Sequence, residues 1–262
     1  MALTDHLREF RNRLFFSVAA VVVGFIVAWI FYGDIFNLLV NPILDVASRL
    51  REDKGIDVLP TLNGVPSSFL LQTKISLVAG IVGTSPVWLY QMWAFVTPGL
   101  HRHERKWTII FVAVAGPLFM AGVALGYVVL PKGLAVLLGF TPGDGSVTSL
   151  VDLNDYLSFV MRVLLVFGVA FEIPLFVVML NLAGVIKARQ LAKWRSWIIF
   201  GTFVFAAVAT PSTDPITMLL LAFPMVVLFM ISELIARFID RRRRLNGDVD
   251  YADLDDDELS PI

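Results

Sequence analysis

A carboxylate inside an apolar run is the costliest group such a run can hold, and Glu172, in FGVAFEIPLF (residues 167–176), is one. Charged at bilayer depth it costs several kcal/mol, so it is protonated, wetted or paired, and it marks proton, ion or partner-helix chemistry. Pro174, two residues on, has no N–H to donate; it is expected to kink its helix and leave carbonyls free beside the acid. Arg162 stands ten residues back, about 15 Å along a helix axis, too far for a direct pair.

Two more carboxylates sit where apolar runs begin or end. Glu104 lies within HRHER (residues 101–105), and its helical neighbours Leu100, Trp107 and Thr108 supply no cation. It is either hydrated on a loop or open to a cation from outside. Glu9 has Arg13 at i+4 in the favourable order, a pair worth about 0.2–0.5 kcal/mol. That pair either satisfies it or leaves it available to a ligand.

Bond-making chemistry has little footing. With no cysteine, disulfides and thiolate metal sites are excluded. The histidines His6, His101 and His103 lack the HExxH spacing that sets two ligands on one helix face. Asp144, in TPGDG, has no second intramembrane aspartate, and neither a Walker loop nor a nucleophile elbow occurs. No catalytic residue, cofactor, metal or nucleic-acid contact is expected.

The elements that hold these acids are membrane spans. Apolar residues make up 57% of the 262, charged residues only 16%. At about 1.5 Å rise per residue, roughly 20 apolar residues cross a hydrocarbon core of about 30 Å. Six runs serve: Leu14–Phe31, Phe69–Ala94, Thr108–Leu130, Tyr156–Ala183, Ser196–Thr210 and Ile216–Ile235. The first is too long for a secretory signal and has no small-residue cleavage site, so it is expected to be retained.

Of the 21 Lys and Arg, fifteen fall on one side if the N-terminus is cytoplasmic, five on the other, and Arg162 lies within a span. Basic flanks stay inside, which predicts that both termini are cytoplasmic. Residues 1–13, with Leu3, Leu7, Phe10 and Leu14 on one stripe, are expected to form an interfacial helix before the chain turns into a six-span domain at 14–236. The outer loops are expected at about 32–68, 131–155 and 211–215, and the cytoplasmic loops at about 95–107 and 184–195. Leu38, Leu39, Ile43, Val46, Ala47 and Leu50 predict a helix across the outer face. The fifth span, fifteen residues or roughly 22 Å, is short enough to thin the bilayer locally. Gly122 and Gly126 suit close helix packing. Residues 237–262, basic and then acidic, are expected to be a disordered tail.

HLREFRNRL (6–14), WAFVTPGLHRHER (93–105), FEIP (171–174) and ATPSTDP (209–215) together resemble the signature segments of TatC, the multispanning core of the twin-arginine protein translocase. The resemblance runs from His6 to about Arg237, with Phe10 where the family commonly has Leu. It implies an all-α cupped bundle of six transmembrane helices with a short final hairpin, in a bacterial cytoplasmic membrane. It also implies a receptor for folded export substrates whose signal peptides carry paired arginines. Glu9 and Glu104 match the two glutamates that recognise the pair, and Phe95, Pro98, Leu100 and Arg105 belong to the same signal-peptide site. Pro42 and Asp214 match functional outer-loop positions. Glu172, with Pro174, matches a buried glutamate implicated in contacts with the single-span partners TatA and TatB. Self-association, lipid contact and drive from the proton-motive force come with the family. The bases around Glu104 are expected to keep other cations out.

A different class remains open: a proton- or ion-coupled small-molecule transporter using Glu172. Such transporters usually show interrupted helices in two related halves, and no internal repeat is evident. An intramembrane protease would need a nucleophile and base, or two acids, within reach.

Overall fold

The structure, a computed structural model, describes residues 3–62, 65–96, 105–140, 148–182, 184–209 and 215–245. In chain order its elements are α1 (Leu3–Ile30), α2 (Tyr32–Lys54), β1 (Asp57–Thr61), α3 (Val65–Gly83), α4 (Ser85–Val96), α5 (Arg105–Leu138), β2 (Thr148–Asp152), α6 (Leu153–Leu182), α7 (Ala188–Ala209) and α8 (Pro215–Leu245). Among the described residues α1, α5, α6, α7 and α8 are each long and apolar enough to cross a bilayer, and α3 with α4, bent by 57°, form a sixth crossing. Pro86, with no N–H, stands in the first turn of α4, and side chains donate to carbonyls beside the break. Thr84 Oγ1 donates to the Gly80 carbonyl at 2.7 Å and Trp88 Nε1 to that of Ile81 at 2.8 Å.

Backbones meet where glycine removes the side chain. A Cβ on Gly80 of α3 would lie 2.6 Å from the Phe25 nitrogen of α1, and one on Gly122 of α5 2.5 Å from the Phe167 carbonyl oxygen of α6. Gly126 faces the Phe167 ring. The expected small-residue contact is therefore the seam between α5 and α6.

The helix expected across one face is α2, which buries Leu39, Val40, Ile43, Val46 and Leu50 at helical spacing. Leu38, expected on that stripe, is exposed, and Ala47 is half-buried. Pro42 stands inside α2 and removes the donor that the Leu38 carbonyl would have had. Tyr127 of α5 donates its hydroxyl to that carbonyl at 2.9 Å, and Tyr156 of α6 donates to the Leu39 carbonyl at 2.9 Å. Pro42 thus frees the Leu38 carbonyl to dock α5, and the adjoining Leu39 carbonyl docks α6. Because Tyr156 is buried, Tyr156→Phe removes a buried bond between helices and is expected to cost about 0.5–1.5 kcal/mol, read as a lower thermal midpoint in nanodiscs. Half-buried Tyr127→Phe should cost less; an unchanged midpoint for Tyr156→Phe would contradict this docking role.

α2 stops at Gly55, whose φ of 65° lets its N–H cap the Arg51 carbonyl. The chain then enters β1, which pairs in parallel with β2 in the register Asp57↔Thr148 to Thr61↔Asp152. This ribbon joins the two long connecting segments, and it was expected in neither. Asp152 then starts α6 by accepting the Asn154 N–H at 2.7 Å.

Other boundaries differ from expectation. α1 is continuous from Leu3, so residues 3–13 are the first turns of the spanning helix; no Gly or Pro precedes Gly24 to break it. α5 runs on to Leu138, eight residues past the expected end of its span. α7 has 22 residues, about 33 Å, so its length alone does not require bilayer thinning. Of its basic first turns, Arg195 is paired within the protein, as described below. α8 carries Arg237 and Arg241–Arg244 within a helix that reaches Leu245, not in a tail beginning at 237. Residues 246–262 lie outside the described residues.

Candidate functional site

The end of α4 packs beside the start of α1. The rings of Phe10 and Phe95 lie 5.2 Å apart, tilted by 56°. One turn along α1, Arg13 gives two hydrogen bonds to a single oxygen of Glu9: Nε at 2.9 Å and Nη2 at 2.7 Å. Arg13 Nη1 stands 3.5 Å from Gln91 Oε1 of α4. Both side chains of the ion pair remain about a quarter exposed, at 25% and 28%. They border an open hollow of about 530 Å³ whose lining also includes Arg8, Asn12, Phe16, Tyr90 and Gln91.

Of the two states open to Glu9 in the sequence, the paired one is occupied here. The pair closes only one carboxylate oxygen and faces a space large enough for a side chain. Chemically this is a cation site that already accepts a guanidinium. Glu104, Pro98 and Leu100 lie outside the described residues, as does Asp214. Arg105 opens α5, and its side chain is likewise outside them. Among the described residues no group of His, Cys, Asp and Glu could hold a metal ion.

Glu172 is buried in α6, 8% exposed, and neither carboxylate oxygen has a hydrogen-bond partner among the described residues. The indole N–H of Trp93, itself 1% exposed, faces the acid and likewise has no hydrogen-bond partner among the described residues. Trp93 packs on Phe176 at 6.0 Å between ring centres, tying the end of α4 to this turn of α6. α6 passes through Pro174 without a break, although that residue has no N–H for the Ala170 carbonyl one turn back. A buried acceptor and a buried donor therefore stand unsatisfied together, an arrangement suited to a polar side chain arriving from outside.

A third cluster was not anticipated. Glu233 of α8 is 2% exposed and accepts from Arg195 of α7 through Nε at 3.0 Å and Nη2 at 2.8 Å, and from Arg237 at 2.6 Å. Asp240 accepts from Asn181 of α6 at 3.0 Å and from the Ala188 N–H at 2.7 Å, capping α7. These contacts pin the α7–α8 hairpin. The i, i+4 pair Glu233–Arg237 was readable in SELIARF; the Arg195 partner, 38 residues away, was not.

A family model described as Sec-independent protein translocase protein (TatC) matches residues 5–224. The Sec-independent protein translocase protein TatC of Frankia casuarinae is 47% identical over 267 residues, covering all of this chain and 73% of that protein. The TatC of Aquifex aeolicus is 36% identical over 245 residues, covering 93% of this chain and 98% of its own. A crystal structure of the twin-arginine translocase receptor TatC in DDM is similar at a TM-score of 0.74 and 35% identity, over 88% of this chain and 99% of that one.

Proposed function

The chain belongs to the TatC family, multi-pass membrane components of the Sec-independent protein translocase, and on that premise we propose that it is the receptor for twin-arginine signal peptides, held by Glu9 and Glu104. The observation that carries the reading is the Glu9 carboxylate, already bonded to a guanidinium at the edge of an open hollow. A planar guanidinium binds carboxylate through two parallel N–H groups, which an ammonium cannot copy. Two such carboxylates at one site would prefer an arginine pair over a lysine pair. Phe95 supports the site by stacking on Phe10; Pro98, Leu100 and Arg105 complete it by family resemblance.

The distribution of Lys and Arg supports cytoplasmic termini, which puts this hollow where an unexported signal peptide arrives. Glu172 and Trp93 offer an acceptor and a donor to a polar residue on a TatA or TatB helix, the physical route to recruiting a span within lipid. Transport is driven by the proton-motive force in a larger assembly of these chains. Pro42 acts by docking α2, and Asp214 by family resemblance.

A photo-crosslinking amino acid at Asn12 or Tyr90 tests the location. A twin-arginine signal peptide is expected to crosslink at both positions, and its twin-lysine counterpart at neither. Equal capture of the two peptides, or capture only by probes on the opposite end of the helices, would contradict the proposal.

A further inference from the structure

Arg13 presents to Glu9 the same chemical group that the proposed ligand would present. Its Nε and Nη2 both meet Oε1, and among the described residues no partner meets Oε2. Gln91 Oε1 lies 3.5 Å from Arg13 Nη1, at the long limit of a hydrogen bond, and offers the guanidinium a second acceptor on a different helix. With Arg8, Glu9 and Arg13 around the hollow, its charged lining sums to a positive value as long as Arg13 stays in place. A cationic peptide therefore gains little from simple attraction.

Resting on the receptor reading of Glu9, we infer that Arg13 is a built-in competitor that sets the affinity threshold of the site: a guanidinium that an incoming side chain must displace from Glu9, swinging toward Gln91 as it leaves. An arginine replaces what it removes, two directed N–H bonds for two. A lysine offers a compact point charge on one donor at a time and loses that exchange. Discrimination thus comes from the carboxylates, while the competitor lowers both affinities by one common factor and leaves the weaker ligand below useful occupancy. The pair is weak enough to open, since a partly exposed i, i+4 ion pair holds only modestly.

The test is a titration of fluorescent twin-arginine and twin-lysine signal peptides against the protein in lipid nanodiscs, with Arg13→Gln, Arg13→Lys, Glu9→Gln and the Glu9→Gln/Arg13→Gln double variant. Arg13→Gln is expected to tighten binding of both peptides by about 1.5- to fivefold, the scale of an exposed ion pair, with the ratio between them unchanged. Arg13→Lys, which restores a competitor of lower strength, should give intermediate affinities. In the Glu9→Gln background the Arg13 substitution should change nothing. Affinities unchanged by Arg13→Gln, or both peptides weakened, would overturn the inference while Glu9→Gln still removes selective binding and so upholds the receptor. If instead Glu9→Gln leaves selective binding intact, the receptor reading at Glu9 fails first, and the inference with it.

Discussion

Replacing Glu172 by Met is expected to make the isolated protein more stable and to stop transport. The carboxyl is buried with both oxygens unpartnered among the described residues, and an unsatisfied buried polar group costs about 1–3 kcal/mol. Methionine is similar in volume, unbranched and free of that cost, so the gain should approach the same size. In a chain of this length that is a rise of a few degrees in thermal midpoint, measured in nanodiscs without partner proteins. Transport of a twin-arginine cargo in vesicles with TatA and TatB should fall to background, because the acceptor proposed for the partner helix is gone. Glu172→Gln, which keeps a polar group of the same shape, should retain part of the activity and none of the stability gain. A destabilised Glu172→Met protein would mean that the acid is satisfied in the membrane, and full transport would remove it from the mechanism.

The second large effect is on binding. Glu9→Gln keeps the size of the side chain and one carbonyl acceptor but removes the charge. A hydrogen bond to a charged group is worth about 1.5–3 kcal/mol, so twin-arginine affinity should drop roughly 10- to 100-fold. Twin-lysine binding, weak to begin with, should barely move. The loss exceeds anything the internal Arg13 pair contributes to folding, about 0.5 kcal/mol, so the variant should fold normally. The charge of Glu9 therefore serves the ligand more than the helix.

The six crossings were legible because each is a long apolar run, and the buried face of α2 because Leu39, Ile43, Val46 and Leu50 recur at helical spacing. The ribbon was not: DVLPT and TSLVD are five residues each, the first holds a proline, and the partners lie 91 positions apart, as Asp57↔Thr148 shows. The start of α7 was missed for a related reason. Arg189, Lys193 and Arg195 end an apolar run by composition, and only the buried Glu233 on α8 explains why Arg195 sits within a helix. Within the candidate site, Glu9–Arg13 followed from spacing alone, whereas Gln91 enters through a contact between helices 78 residues apart. Glu172 stood out by cost, yet its facing donor Trp93 belongs to α4 and carries no signal in the sequence around the acid.

The most direct test of the receptor is the dissociation constant of a twin-arginine signal peptide for this protein in lipid nanodiscs, beside the twin-lysine peptide, with wild type, Glu9→Gln and Glu104→Gln. Selective binding by wild type, lost in both single variants, is the expected result. Equal affinity for the two peptides, or selective binding that survives both substitutions, would contradict the assignment of these carboxylates as the twin-arginine site.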